Sequence, residues 1–113
     1  MRSYTANTEP IRIRINDMEF ELLKADGVAQ AQIMQYLAEL APLKLGDPEQ
    51  AERALRMGCN ILDEILGSGA SFRIFGNTPV SFGRLLPLMM QIARDCAREY
   101  RAYIKNEYLE GVK

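Results

Sequence analysis

Apolar and charged residues alternate from Ile11 to Ile15 and again from Met18 to Leu22, a period of two that belongs to half-buried β-strands. Asn16 and Asp17 stand between the two runs as the central residues of a two-residue turn. Cross-strand partners then have numbers summing to 33. Ile15 faces Met18, Ile13 faces Phe20 and Ile11 faces Leu22 on one side, while Arg14 faces Glu19 and Arg12 faces Glu21 on the other. One register yields both an apolar face and a charge-matched face, and a slip of one residue destroys both. A two-stranded ribbon is marginal in water, so its apolar face must lie on helices of the same chain. Its outer edges stay open and can template a strand from another chain, or else be solvated or covered by the N-terminal arm. Ile11, Ile13 and Phe20 are therefore candidate interface residues.

Beyond Leu22 the period lengthens to that of helices. Asp26 is placed to cap a helix over about 26–41, with Val28, Ile33, Leu37, Leu40 and Ala41 as its apolar positions and Pro42 near its end. Gly46-Asp47-Pro48-Glu49 is a stronger start signal. Asp47 can accept from orphan amides, Pro48 suits the first helical position and Glu49 complements the positive helix end. The second helix is expected over 48–66, facing inward through Ala51, Ala54, Leu55, Gly58, Ile61, Leu62 and Ile65, and closed by Gly67 and Gly69. The small residues Ala51, Ala54 and Gly58 would admit another helix closely. A glycine-containing connector follows, with one helical turn at Ser71–Phe75 whose aromatics plug the core. The last helix starts between Ser81 and Leu86 and runs over about 84–109, with Leu85, Leu88, Met89, Ile92, Ala93, Cys96, Ala97, Tyr100 and Ile104 on its stripe. Pro87 belongs near its first turn, where the missing N–H costs least. Residues 1–10 read as a flexible arm and 11–113 as a single α+β domain, a hairpin on three main helices, mostly α.

Composition narrows what such a domain can do. In 113 residues, 14 Lys and Arg are interspersed with 15 Asp and Glu, which leaves no basic face for nucleic acid. The absence of histidine removes the usual neutral-pH general base and the commonest zinc ligand. Cys59 and Cys96 lie apart in apolar helical segments and read as free thiols of a reducing compartment. The connector holds three glycines close together, but it lacks a P-loop pattern and follows a helix, so it reads as structural. The adjacent carboxylates Asp63 and Glu64 diverge by about 100° on a helix. Glu19 and Glu21 already face arginines. Met34, Met57, Met89 and Met90 can form an adaptable apolar surface for several partners, but ordinary core filling is the expectation. No run approaches a membrane span and the first residues lack a signal peptide's apolar core. The expectation is a cytoplasmic, non-enzymatic protein with no cofactor, metal, small-molecule substrate, nucleic acid or membrane partner. Tyr100, Tyr103, Ile104 and Tyr108, at the end of the long last helix, join the hairpin as interface candidates because Tyr and Arg dominate protein interfaces.

The order of features carries a resemblance. The hairpin Ile13-Arg14-Ile15-Asn16-Asp17-Met18-Glu19-Phe20-Glu21-Leu22 is followed by a helix, then by Cys59-Asn60-Ile61-Leu62-Asp63-Glu64-Ile65-Leu66-Gly67, then by Ile74-Phe75-Gly76-Asn77 before the last helix. Over roughly Ile11 to Tyr103 the chain resembles short phage and prophage proteins of Gram-positive bacteria. It departs from their pattern at Asp17, where glycine is expected, and at Pro87. The resemblance implies a tail assembly chaperone: a homo-oligomer in the host cytoplasm that coats the tape measure protein, or another tail protein, until tube subunits polymerise around it. The alternatives are a structural virion component, such as a head-tail connector or tail-completion protein, and a small helical regulator.

Overall fold

The computed structural model describes residues 3–4, 9–43 and 46–104, with side chains along the last helix to residue 98. Strands β1 (Arg12–Ile15) and β2 (Met18–Glu21) pair antiparallel in the expected register, Arg12 with Glu21, Ile13 with Phe20, Arg14 with Glu19 and Ile15 with Met18. Asn16 and Asp17 both take positive φ, 51° and 62°, the conformation of a primed two-residue turn that Asn and Asp tolerate without glycine. The Leu22 N–H donates to the Ile11 carbonyl at 2.8 Å, so the pairing continues one step beyond the strands. Ile13, Ile15, Phe20 and Leu22 are buried, whereas Arg12, Arg14, Glu19 and Glu21 are exposed.

Helix α1 spans Asp26–Leu40 and corrects two expectations. Ala25 takes the cap position without a side-chain bond, and the Asp26 carboxylate instead accepts from the neighbouring Gly27 N–H at 2.8 Å. The buried face is Ala29, Ile33, Tyr36 and Leu40, while Val28 and Ala41 are exposed and Leu37 is half-buried. The spacing is that of a helix seam (i, i+4, i+7, i+11), and it runs through alanine and tyrosine rather than valine because small or flat residues fit the approach of α2 and α4.

Helix α2 spans Pro48–Leu66, as expected, with the Asp47 carboxylate accepting from the Glu49 N–H at 3.1 Å. Its buried residues are Ala54, Gly58, Leu62, Ile65 and Leu66. Gly67 ends it at φ 116°, and Gly69 at φ 81° starts the six-residue helix α3, Ala70–Phe75. The Asp63 carboxylate reaches across this turn to accept from the Ser71 N–H at 2.8 Å. Of the connector's aromatics, Phe75 packs against the core but Phe72 is 63% exposed, contrary to the expected pair of plugs.

Helix α4 spans Phe82–Ile104, so Pro87 lies at its sixth position, two residues deeper than a start at 84 would put it. The carbonyl four residues back, on Gly83, loses its N–H partner; Gly83 is exposed, and water can take that bond. Leu85, Met89, Ile92, Ala93 and Cys96 are buried, with Leu88 and Ala97 half-buried. The expected continuation to 109 lies outside the described residues. α4 and α1 form the largest helix pairing, and the hairpin closes one side of the core they share with α2. The chain between β2 and α1 is fastened to α2 by the Leu23 N–H, which donates to the Ile65 carbonyl at 2.8 Å. The Lys24 ammonium lies 3.5 Å from the Glu64 carboxylate and 3.3 Å from the Gln32 amide oxygen, and the Gln32 amide donates to Glu64 at 2.6 Å.

Candidate functional site

The junction of α1, α2 and α4 is close at Gly58. A β-carbon there would come within 2.6 Å of Leu85 Cδ2 and 2.8 Å of the Tyr36 hydroxyl, so any larger residue would have to displace these two side chains. Tyr36 crosses this point and donates its hydroxyl to the Ala54 carbonyl at 2.6 Å. Burial, with the negative charge of a Cys59 thiolate adding to it, pushes the Tyr36 phenol up to about 12. It stays protonated and a hydrogen-bond donor throughout the physiological range. The Cys59 thiol is likewise raised, by burial and then by the Asp63 carboxylate, which favours the thiol over the nucleophilic thiolate. Cys59 is half-buried and Cys96 buried, and neither is joined in a disulfide.

Toward the end of α1 the same two helices separate. They leave an open groove of about 360 Å³ lined by Tyr36, Leu40, Leu43, Ala54 and Met57, with Glu39, Gln50 and Arg53 also on its walls. Leu40 and Ala54 are core residues whose upper surfaces form its floor, whereas Leu43 is 40% and Met57 45% exposed. The lining is thus apolar at the base and carries one carboxylate and one guanidinium. Such a trough suits the apolar stripe of an amphipathic helix.

A second groove, of about 250 Å³, runs between β1 and α4. Ile11, Arg12, Ile13 and Arg14 line it on one side and Asp95, Cys96 and Arg98 on the other. The Arg14 guanidinium stands 3.8 Å from Glu19, and that of Arg98 3.8 Å from Asp95, in well-exposed pairs. On the other flank of the hairpin Arg73 of α3 stacks 4.6 Å over the Phe20 ring, and the Asn16 side-chain amide donates to the Ile74 carbonyl at 3.3 Å. α3 thereby braces the turn and β2.

The candidates named from the sequence separate into three groups. Ile13 and Phe20 are buried within their own chain, so their side chains serve the core and leave only the strand backbones at an edge. Ile11 is half-buried at the β1–α4 groove. The side chains of Tyr100, Tyr103 and Ile104, and Tyr108 altogether, lie outside the described residues. Met89 does fill the core, but Met34, Met57 and Met90 are each about half exposed, which corrects the expectation that they serve mainly as filling. Sequence reasoning missed the α1–α2 groove because its walls depend on where α1 ends relative to α2. The available signal was Leu43, an apolar residue just past Pro42 with no helical stripe to join.

Among the described residues no three His, Cys, Asp or Glu side chains are grouped to hold a metal ion, and no helix is long and apolar enough to cross a membrane. Comparison of the chain with protein-family models, with curated proteins and with solved structures found no match.

Proposed function

We propose that this chain is a non-enzymatic binding and assembly protein of the tail assembly chaperone kind. It self-associates and holds a phage tape measure protein, or another tail protein, in the cytoplasm of the bacterial host. The observation that carries the binding reading is the α1–α2 groove, where Leu43 and Met57 stand exposed over a floor of Leu40, Ala54 and Tyr36. Exposed apolar residues gathered in one trough mark contact surfaces more often than scattered ones do. Methionine adds tolerance, since its unbranched thioether adapts to different partner side chains. A chaperone of a long, aggregation-prone client needs such a trough, repeated by self-association along the client. The assignment to tail assembly rests on the resemblance of the hairpin and of the segments around Cys59–Gly67 and Ile74–Asn77.

The test is co-expression with the tape measure protein of the same phage or prophage, followed by size-exclusion chromatography with light scattering. The chain is expected to run above the 12.8 kDa of one copy and to co-elute with the client. A strictly monomeric chain that leaves the client insoluble would overturn the proposal. A stable place in purified particles would favour the structural virion component instead.

A further inference from the structure

The open edge of β1 has a chemistry that the groove on α1 and α2 does not. Leu22 N–H donates to Ile11 C=O, so residues 11 and 22 form a hydrogen-bonded pair of the ladder, and with a period of two so do 13 with 20 and 15 with 18. Arg12 and Arg14 fall in the alternate positions, where N–H and C=O point away from β2. Among the described residues no backbone group from outside the hairpin bonds to them. Beside that edge lies a trough, the 250 Å³ groove between β1 and α4, rather than a packed neighbour.

The trough is cationic. Among the described residues three guanidiniums, Arg12, Arg14 and Arg98, line it with one carboxylate, Asp95, and Arg14 and Arg98 stand in exposed pairs with Glu19 and Asp95. β2 already shows what β1 accepts on its other side. Met18-Glu19-Phe20-Glu21 places carboxylates opposite the two arginines on the outer face and apolar side chains on the inner face. A guanidinium carries five donors in a planar fork, so Arg12 and Arg14 can serve a second row of carboxylates on their free side. A basic segment there would set like charges side by side.

We propose that the β1 edge is a strand-addition site for an extended acidic segment of a partner protein, in which Glu or Asp alternates with apolar residues. The added strand exchanges backbone hydrogen bonds with Arg12 and Arg14, places its acidic residues beside their guanidiniums and turns its apolar residues down toward Cys96 of α4. This deepens the reading of the chain as a protein-binding module by giving it a second, chemically distinct client segment. It can fail while the α1–α2 groove still binds.

The probe is a blocked hexapeptide, Val-Glu-Val-Glu-Val-Glu, titrated into the isotope-labelled full chain and followed by amide NMR. The amide signals of Arg12 and Arg14 are expected to shift most, and those of Ile13 and Ile15, already bonded to β2, much less. Methylating alternate peptide nitrogens of the probe removes backbone donors and should weaken binding about tenfold or more, given ~1 kcal/mol for each hydrogen bond lost. R12Q/R14Q, which leaves the hairpin without a like-charge clash, should weaken it by a similar factor, and a Val-Lys repeat should not bind. Shifts confined to other surfaces, or binding indifferent to N-methylation, would overturn the proposal. In either case co-elution of the tail client would still report on the α1–α2 groove, so the two readings fail separately.

Discussion

Two of the meetings between helices α1 and α2 differ in kind. At Gly58 they close until a single β-carbon would collide with Leu85 and Tyr36, and the buried hydroxyl of Tyr36 is satisfied by Ala54. Farther along, around Leu40, Leu43 and Met57, the same pair opens into a trough that leaves the apolar side chains of Leu43 and Met57 partly to solvent. Tyr36 and Ala54 belong to both places. Stability is concentrated where side chains interlock, and adaptable contact is left where they part, so substitutions should separate the two.

The largest effect is expected at the closed meeting. Gly58→Val would force a branched side chain against Leu85 and the Tyr36 ring and should lower unfolding stability by about 3 kcal/mol, read as a shift of the urea midpoint. A midpoint unchanged from wild type would mean that α1, α2 and α4 do not converge there.

Next comes Tyr36→Phe, which removes the buried bond to Ala54 and should cost about 1 kcal/mol near neutral pH. It also carries a pH signature. The folded-state pKa of Tyr36 lies above the unfolded value, so its contribution is fully present below pH 10 and declines as the pH rises from 10.0 toward about 12. The difference in stability between wild type and Tyr36→Phe should therefore shrink across that interval. A constant difference would show that the phenol is not buried as described.

Asp47→Ala tests the entry of α2 beside the groove. Loss of the bond to the Glu49 N–H should cost about 1 kcal/mol or somewhat less, with helix content by circular dichroism nearly unchanged. The smallest effect on folding belongs to the open meeting. Met57→Glu, on a half-exposed position, should change stability by no more than about 0.5 kcal/mol while weakening client binding. If it destabilises like a core substitution, the trough is part of the core and the contrast disappears.

The parts legible in the sequence are those that local rules decide. The hairpin register follows from two charge pairs and three apolar pairs that agree on one alignment, and α2 from the Asp47-Pro48-Glu49 start and the Gly67 stop. α1 was harder. Val28 outranks Ala29 in hydropathy, yet Ala29 is buried and Val28 exposed, an outcome that only the tertiary arrangement supplies. Tyr36 has no inward signature in the sequence for a related reason, since its polar tip looks like a surface feature and only the fold brings the Ala54 carbonyl to accept from it. Phe72 went outward because the orientation of a six-residue helix is set by the left-handed Gly69 and the Asp63–Ser71 bond rather than by its own pattern. The grooves are gaps between elements and have no local signature at all. Leu43 and Met57 lie 14 positions apart and become neighbours only when the two helices pack.

The most direct test of the account is the soluble yield and co-elution of the tape measure client with wild type and with Met57→Glu, both confirmed as folded by their urea midpoints. Wild type is predicted to keep the client soluble in a shared peak, and Met57→Glu to lose it at unchanged stability. A client retained equally by both proteins, or equally soluble without either, would contradict the claim that this chain acts by holding another polypeptide in the α1–α2 groove.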